Sequence, residues 1–312
     1  MKVVFPTLLV NLLSASSIEA KKDVIRRKGR KEEDSLEPEV ADIINGIPTG
    51  NPLPYQVALS IVPNQGPNCG GTLIASRVVL TAAHCYIDDD GKPRNPAIGN
   101  VRLNMYDWAD LNNPGVISIN LSYAEIGYDI FPHPGYNRAT MENDVALVIL
   151  PGGQEEGDNI RYAKLNKDPN VPAADKRLYA SGWGRTEVGG DRSQILLGTV
   201  INYVPAEECT TWLECEPTMD TNVCKAIYNN DVLCAYKEGG DTCQGDSGGP
   251  VVIASQDETA PATEPPLQVG ITSYGFACGT LGYPSGYTRV RFWYNTTTMA
   301  KTRMLSHHIT RA

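Results

Sequence analysis

The feature that most limits the fold is a pattern of punctuation. From Ile43 onward the chain passes through short apolar stretches, "YQVALSIV", "GTLIASRVVLTAA", "DVALVIL", "RLYASGW", "PVVIAS" and "QVGITSYG", set apart by Gly, Pro, Asn and Asp. Runs of this length, rich in β-branched residues and separated by turn formers, specify many short strands and predict an all-β barrel or sandwich. No long stretch carries helical periodicity. The segment from Arg291 is the best helix candidate, although its "NTTT" is a poor helix former. With 312 residues, 41% of them hydrophobic, the chain can bury the core of one large domain or two ordinary ones.

The N-terminal part has a different texture. Lys2, the apolar stretch Val3 to Leu13 and the small residues Ser14 to Ser17 have the layout of a secretory signal peptide, assigned to residues 1–20. The apolar run is too short to cross a bilayer, so no membrane partner is expected. The following "KKDVIRRKGRKEEDSLEP" is nearly all charged or polar and cannot fold alone; it reads as a propeptide over 21–42. A domain over 43–306 and a tail over 307–312 complete the chain. Its 36 acidic against 27 basic residues give a formal charge of -9, the wrong sign for holding nucleic acid or anionic lipid. The 8 cysteines form an even set, which in a secreted chain predicts disulfides, with the pairing left open. No C-x2-C spacing and only 4 histidines argue against zinc, and the acidic "DDD" at Asp88 to Asp90 reads as a solvated loop. Neither a metal nor a cofactor is expected.

Three short segments carry the chemistry. In "GGDTCQGDSGGP" the glycines around Ser247 free the backbone to aim successive N–H groups at one point, which could hold an oxyanion. In "LTAAHC" His84 follows a run that reads as the end of a buried strand, whereas His133 sits between prolines and His307 and His308 lie in the polar tail. In "MENDVALVIL" Asp144 opens a strongly apolar strand, where a buried carboxylate needs a partner to stay ionised. Each has a plainer alternative, as a turn serine, a core histidine and a strand cap.

Together, and in the order His, Asp, Ser, "LTAAHC", "NDVALV" and "GDSGGP" resemble the signature of the chymotrypsin-fold, trypsin-like serine proteases. "SGWGRT" and "YPSGYTRV" extend the resemblance from Ile43 to about Val290. It implies an all-β fold of two antiparallel six-stranded barrels, about 43–163 and 164–290, followed by a C-terminal helix. It implies a secreted endopeptidase with Ser247 as nucleophile, His84 as general base and acid, and Asp144 fixing the imidazole. These roles follow the family's template and are not read from spacing. Gly245 and Ser247 would form the oxyanion hole, Ser273 would support Asp144, and Tyr274 with Gly275 would pair with substrate backbone. Asp241 would lie at the base of the primary specificity pocket and select Lys or Arg. Cleavage of the Asp42–Ile43 bond would free an ammonium at Ile43 that pairs with Asp246, so the chain would be a zymogen. The implied disulfides are Cys69 with Cys85, Cys209 with Cys234 and Cys243 with Cys278, with Cys215 and Cys224 closing an extra loop. Protein or peptide substrates, an activating protease in trans and protein protease inhibitors are the implied partners of a monomer.

Several positions depart from the family pattern. Asp42 replaces the usual basic residue before the activation bond, so an enzyme cutting after basic residues could not activate itself. Ser285 and Ala277 stand where trypsin-like members usually have glycine in the pocket wall, which leaves chymotrypsin- or collagenase-like specificity open. Leu178 and Ile253 fill the slots of a missing disulfide. A noncatalytic homologue acting as a binding protein is the rival reading, since fold does not fix function. The triplets "NLS" at Asn120 and "NTT" at Asn295 are N-glycosylation motifs.

Overall fold

The computed structural model describes residues 46–290, apart from 63–64, 95–97, 111, 122–128, 188, 214, 216–223, 225–226, 228–230, 256–259, 262–264, 276–277 and 279–282. The expectations for the signal peptide, the propeptide, Asp42, Ile43, Ala277, Asn295 and the C-terminal helix therefore lie outside the described residues. In chain order the strands are β1 (Ile47–Pro48), β2 (Gln56–Ser60), β3 (Cys69–Ala75), β4 (Val78–Thr81), β5 (Asn100–Leu103), β6 (Ile117–Asn120), β7 (Ile130–Pro132) and β8 (Ala146–Ile149). They continue with β9 (Lys164–Leu165), β10 (Arg177–Gly182), β11 (Leu197–Val204), β12 (Val232–Tyr236), β13 (Pro250–Ile253), β14 (Leu267–Tyr274) and β15 (Ser285–Arg289). The helix α1 (Ala206–Trp212) precedes β12. The fold is all-β, as the apolar runs predict.

The second sheet closes on itself. β11, β10, β13, β14, β15 and β12 pair in that order, and β12 pairs back to β11, giving a six-stranded barrel. The first sheet departs from the expected closed barrel. Its 7 strands run β6-β5-β2-β3-β4-β8-β7, and among the described residues no pairing joins β6 to β7, so it is a half-barrel. β1 pairs antiparallel with β11 and so belongs to the second sheet. This anchors Ile47 and Pro48 on the barrel whose strand β13 follows the Asp246 loop.

Burial explains why the apolar runs become strands. β2, β4 and β8 are buried at every position, whereas the edge strand β6 alternates between exposed and partly buried residues. Val57, Leu59, Leu73, Val79, Val101 and Val148 fill the first core. Leu178, Ile201, Leu233, Val251, Val269 and Tyr287 fill the second. Leu178 pairs directly with Ile253 across β10 and β13, and the two pack in the second core.

Small residues and a buried polar pair are among the contacts where the two sheets meet. The Gln56 and Ser181 side chains lie in the buried seam; the Ser181 hydroxyl donates to Gln56 Oε1 at 2.8 Å and Gln56 Nε2 donates to the Ser181 carbonyl at 3.3 Å. A Cβ on Gly70 would lie 2.9 Å from the Gly249 Cα, so the "CGG" of β3 and the "SGG" before β13 pack only because both lack side chains. The Gly70 N–H donates to the Ser247 carbonyl at 2.7 Å across this contact. Disulfides Cys69–Cys85, Cys209–Cys234, Cys215–Cys224 and Cys243–Cys278 complete the frame.

Candidate active site

Strand register brings His84 to Asp144. β4 and β8 are antiparallel with Thr81 opposite Ala146, so residues just after Thr81 run beside those just before Ala146. There the chain leaves β4 in a short 3-10 turn, Ala83–Cys85, which carries His84. Its backbone N–H donates to Asp144 Oδ1 at 2.9 Å, and its Nδ1 lies 2.7 Å from Asp144 Oδ2. The Ser273 hydroxyl, from β14, donates to Asp144 Oδ2 at 2.5 Å, and Thr288 Oγ1 donates to the Asp144 carbonyl at 2.9 Å. Asp144 is 0% exposed. Burial alone would raise its proton affinity, but the neighbouring His84 and these hydrogen bonds outweigh it and hold the carboxyl below its ordinary range.

Ser247 stands on the loop before β13 and is only partly buried. Gly248 adopts φ +80°, and a Cβ there would strike Thr81 and Gly70, so glycine is required on both counts. Gly245 adopts φ +113°, which turns the backbone two residues before Ser247. Disulfide Cys69–Cys85 braces the histidine turn, and because its two sulfurs are joined, the cluster of Cys69, His84 and Cys85 offers no thiolate to a metal.

Asp246 points away from Ser247 into a cradle of backbone. Gly184 N–H donates to its Oδ1 at 2.8 Å and Cys243 N–H to its Oδ2 at 2.9 Å. A Cβ on either Gly182 or Gly184 would overlap the carboxylate, which gives "SGWG" its physical reason. Among the described residues no cation lies within ion-pair distance of it. Burial pushes its pKa up to about 6 in spite of the two N–H donors, with Asp241 adding in the same direction.

Asp241 and Ser285 meet at a second buried point. The Ser285 hydroxyl donates to Asp241 Oδ2 at 2.8 Å, and the Thr242 N–H donates to Oδ1 at 2.8 Å. Thr242 Oγ1 lies 3.1 Å from the hydroxyl of the fully buried Tyr287. A Cβ on Gly275 would come within 3.0 Å of Ser285 Oγ, so Gly275 and Ser285 face each other closely. Cys243–Cys278 ties this region together. Tyr274 precedes Gly275 at the end of β14, and its ring fills the space beside Gly286. Asn120 is exposed at the end of β6.

His84 and Ser273 thus each contact Asp144, Gly245, Asp246 and Ser247 share one loop, and Asp241 with Ser285 forms a separate pair. Sequence reasoning passed over Thr288, the Gln56–Ser181 pair and the cradle of Gly182 and Gly184. The "SGWG" glycines were the visible signal for the last. Among the described residues no helix is long and apolar enough to cross a membrane.

A buried carboxylate thus holds the imidazole of His84 by its Nδ1 side, and comparison with known proteins gives the family. Residues 43–296 match the family model described as Trypsin. The chain is 30% identical over 299 residues to "Clotting factor G beta subunit" of Tachypleus tridentatus, covering 94% of this chain and 91% of that one. It is 33% identical over 252 residues to "Trypsin" of Sus scrofa, covering 78% and 89%. It is 34% identical over 224 residues to "Serine protease Hayan" of Drosophila melanogaster, covering 71% of this chain but only 32% of that longer one. On this match the chain belongs to the trypsin family and is a serine endopeptidase.

Proposed function

We propose that the chain is the precursor of a secreted endopeptidase that cuts after basic residues, with His84, Asp144 and Ser247 as its triad. The observation that carries this reading is the Asp144 carboxylate, fully buried yet held charged between His84 and Ser273. In this reading the Ser247 Oγ attacks the scissile carbonyl carbon while His84 Nε2 takes its proton. The oxyanion forms against the N–H groups of Gly245 and Ser247, a single such donor being worth roughly 3 to 4 kcal/mol. The imidazolium then protonates the leaving amine, and water repeats the sequence to release the acyl group from Ser247.

Asp241 supports basic specificity, because a buried carboxylate at a pocket base selects a cationic side chain. Ser285 narrows that choice. Its hydroxyl occupies one carboxylate oxygen and faces Gly275, leaving less room for a planar guanidinium than for an ammonium, so Lys is favoured over Arg. Activation by cleavage of Asp42–Ile43 is supported by the cradle around Asp246, which lacks a described cation, and by β1, which holds the chain onto the same barrel. Disulfide density supports an oxidising, extracellular location, and exposed Asn120 suits glycosylation. A protease that cuts after Asp would be the activating partner.

The test uses protein processed to begin at Ile43, with peptides carrying Lys, Arg, Phe or Asp before the scissile bond. Cleavage after Lys above Arg is expected, abolished by Ser247→Ala, with Ser285→Gly bringing Arg level with Lys. Cleavage after Phe would overturn the basic specificity, and no cleavage by folded, correctly processed protein would favour the binding homologue.

A further inference from the structure

Between the Gly245 loop and the Gly66–Trp108 region lies a cationic side chain that the site above does not use. Arg185 and Arg192 pair across a short hairpin that leads from Gly184 back toward β11. Arg192 is half-buried between the two sheets. A Cβ on Gly245 would lie 3.3 Å from its Nε and 3.5 Å from its Cδ, while a Cβ on Gly66 would lie 3.6 Å from that Cδ and 3.4 Å from the Trp108 indole. The Arg192 side chain therefore spans from the proposed oxyanion loop to the Gly66–Trp108 side of the first sheet. The Trp108 Nε1–H donates to the Ser193 carbonyl at 2.8 Å and fixes the backbone next to it.

Arg192 is also short of partners. Its Nε is buried without a hydrogen bond, and among the described residues no carboxylate lies within 4.0 Å of its guanidinium. Arg185, by contrast, donates from its side chain to the Gly190 carbonyl and from its backbone to Gln244 O at 2.9 Å. Glu187 and Asp191 lie on the same hairpin and point into solvent without an ion pair to either arginine. Burial, followed by the charge of Arg185, disfavours the cationic form of Arg192. In a chain of net charge -9, a half-buried cation left without an anion is a cost that an incoming anion would remove.

The direction of the substrate says which anion. In the endopeptidase reading, on which this inference rests, residues before the scissile bond are taken up by the Ser273–Gly275 edge and the Asp241–Ser285 pocket. Chain that leaves past Gly245 and Gly66 is the part after the bond. We propose that Arg192, supported by Arg185, forms a subsite for an acidic side chain at the first or second residue after the scissile bond. The substrates it fits carry a basic residue followed closely by Asp or Glu. In an extended peptide those positions lie about 3.3 to 3.6 Å apart, so one long guanidinium can serve either.

The test compares peptides that share Lys before the bond and differ only in the two residues after it: both Ala, one Glu, or one Lys. The ratio of kcat/KM for the Glu peptide over the Ala peptide is read within each enzyme form, so that any general loss of activity cancels. About tenfold is expected for the unaltered enzyme, with the Lys peptide slowest, and the ratio should shrink in high salt. Arg192→Gln should bring it near one, Arg185→Gln should lower it partway, and Arg192→Lys should keep most of it. A ratio near one in the unaltered enzyme, or one that survives Arg192→Gln, overturns the subsite while leaving the endopeptidase reading intact. Failure to cut even the Ala peptide overturns that reading and the subsite with it.

Discussion

Asp144 and Asp246 are equally buried, both 0% exposed, yet their proton affinities move in opposite directions. Asp144 faces an imidazole and a hydroxyl and is held below the ordinary carboxylate range. Asp246 faces two backbone N–H groups, has no described cation, and rises to about 6. Burial is common to both, so partners decide the difference. Two neutral donors do not offset the loss of water around a charge, whereas an imidazole that can become a cation does. Asp144 has its partners in place, whereas Asp246 lacks a described cation, which is what the proposed activation would supply.

The largest effect should come from the completed site. Asp144→Asn keeps the shape but replaces an acceptor with an amide that favours the wrong imidazole tautomer. kcat should fall by about 10⁴-fold, a figure belonging to the family's template enzyme rather than to this chain. Steady-state kinetics on the Ile43 form would read it, and a loss of less than tenfold would break the contrast by making Asp144 merely structural.

A smaller effect should separate the acids by pH. Asp144, its proton affinity lowered, stabilises the fold above the ordinary carboxylate range and loses that contribution as pH falls through it. Asp246 has the reverse sign. Between its ordinary 3.8 and about 6, the folded precursor holds a proton that the unfolded chain has released, so stability declines as pH rises through that window. At 1.36 kcal/mol per tenfold change in proton affinity, about 3 kcal/mol is at stake by neutral pH. Urea unfolding of the Ser247→Ala precursor, and of the same protein cut to begin at Ile43, should show this decline only in the precursor. Equal pH profiles in the two forms would break the proposed pairing of the new ammonium with Asp246.

The same contrast explains what was legible in the sequence. The strands were visible because their apolar runs are short and end in turn residues, and β4 and β8 follow "VVLT" and "ALVI" closely. The contact of His84 with Asp144 was not readable from spacing, since it depends on the register that sets Thr81 opposite Ala146. Only the resemblance joined those segments. The crossing of β1 to the second sheet was hidden because a strand of 2 residues, Ile47–Pro48, has no periodicity to detect. Arg192 was silent because an arginine in a Gly-rich hairpin reads as a solvated loop residue, and its burial depends on Gly245 and Gly66 arriving from distant parts of the chain.

The smallest effect tests whether Asp144 owes its charge to more than His84. Ser273→Ala removes the donor at 2.5 Å from Asp144 Oδ2 and leaves both His84 contacts in place. A hydrogen bond to a charged group is worth about 1.5 to 3 kcal/mol, shared here between stability and activity. kcat/KM should therefore fall about tenfold, mainly through kcat, since Ser273 positions Asp144 rather than touching the reacting atoms. A carboxylate robbed of one donor takes a proton more readily, so activity on the acid side should be lost at a higher pH than in the unaltered enzyme. Ser273→Thr, which keeps a hydroxyl, should move that limb back. If Ser273→Ala lowers only the unfolding midpoint and leaves the pH profile unmoved, the hydroxyl braces the fold, and His84 alone accounts for the difference between the two buried acids.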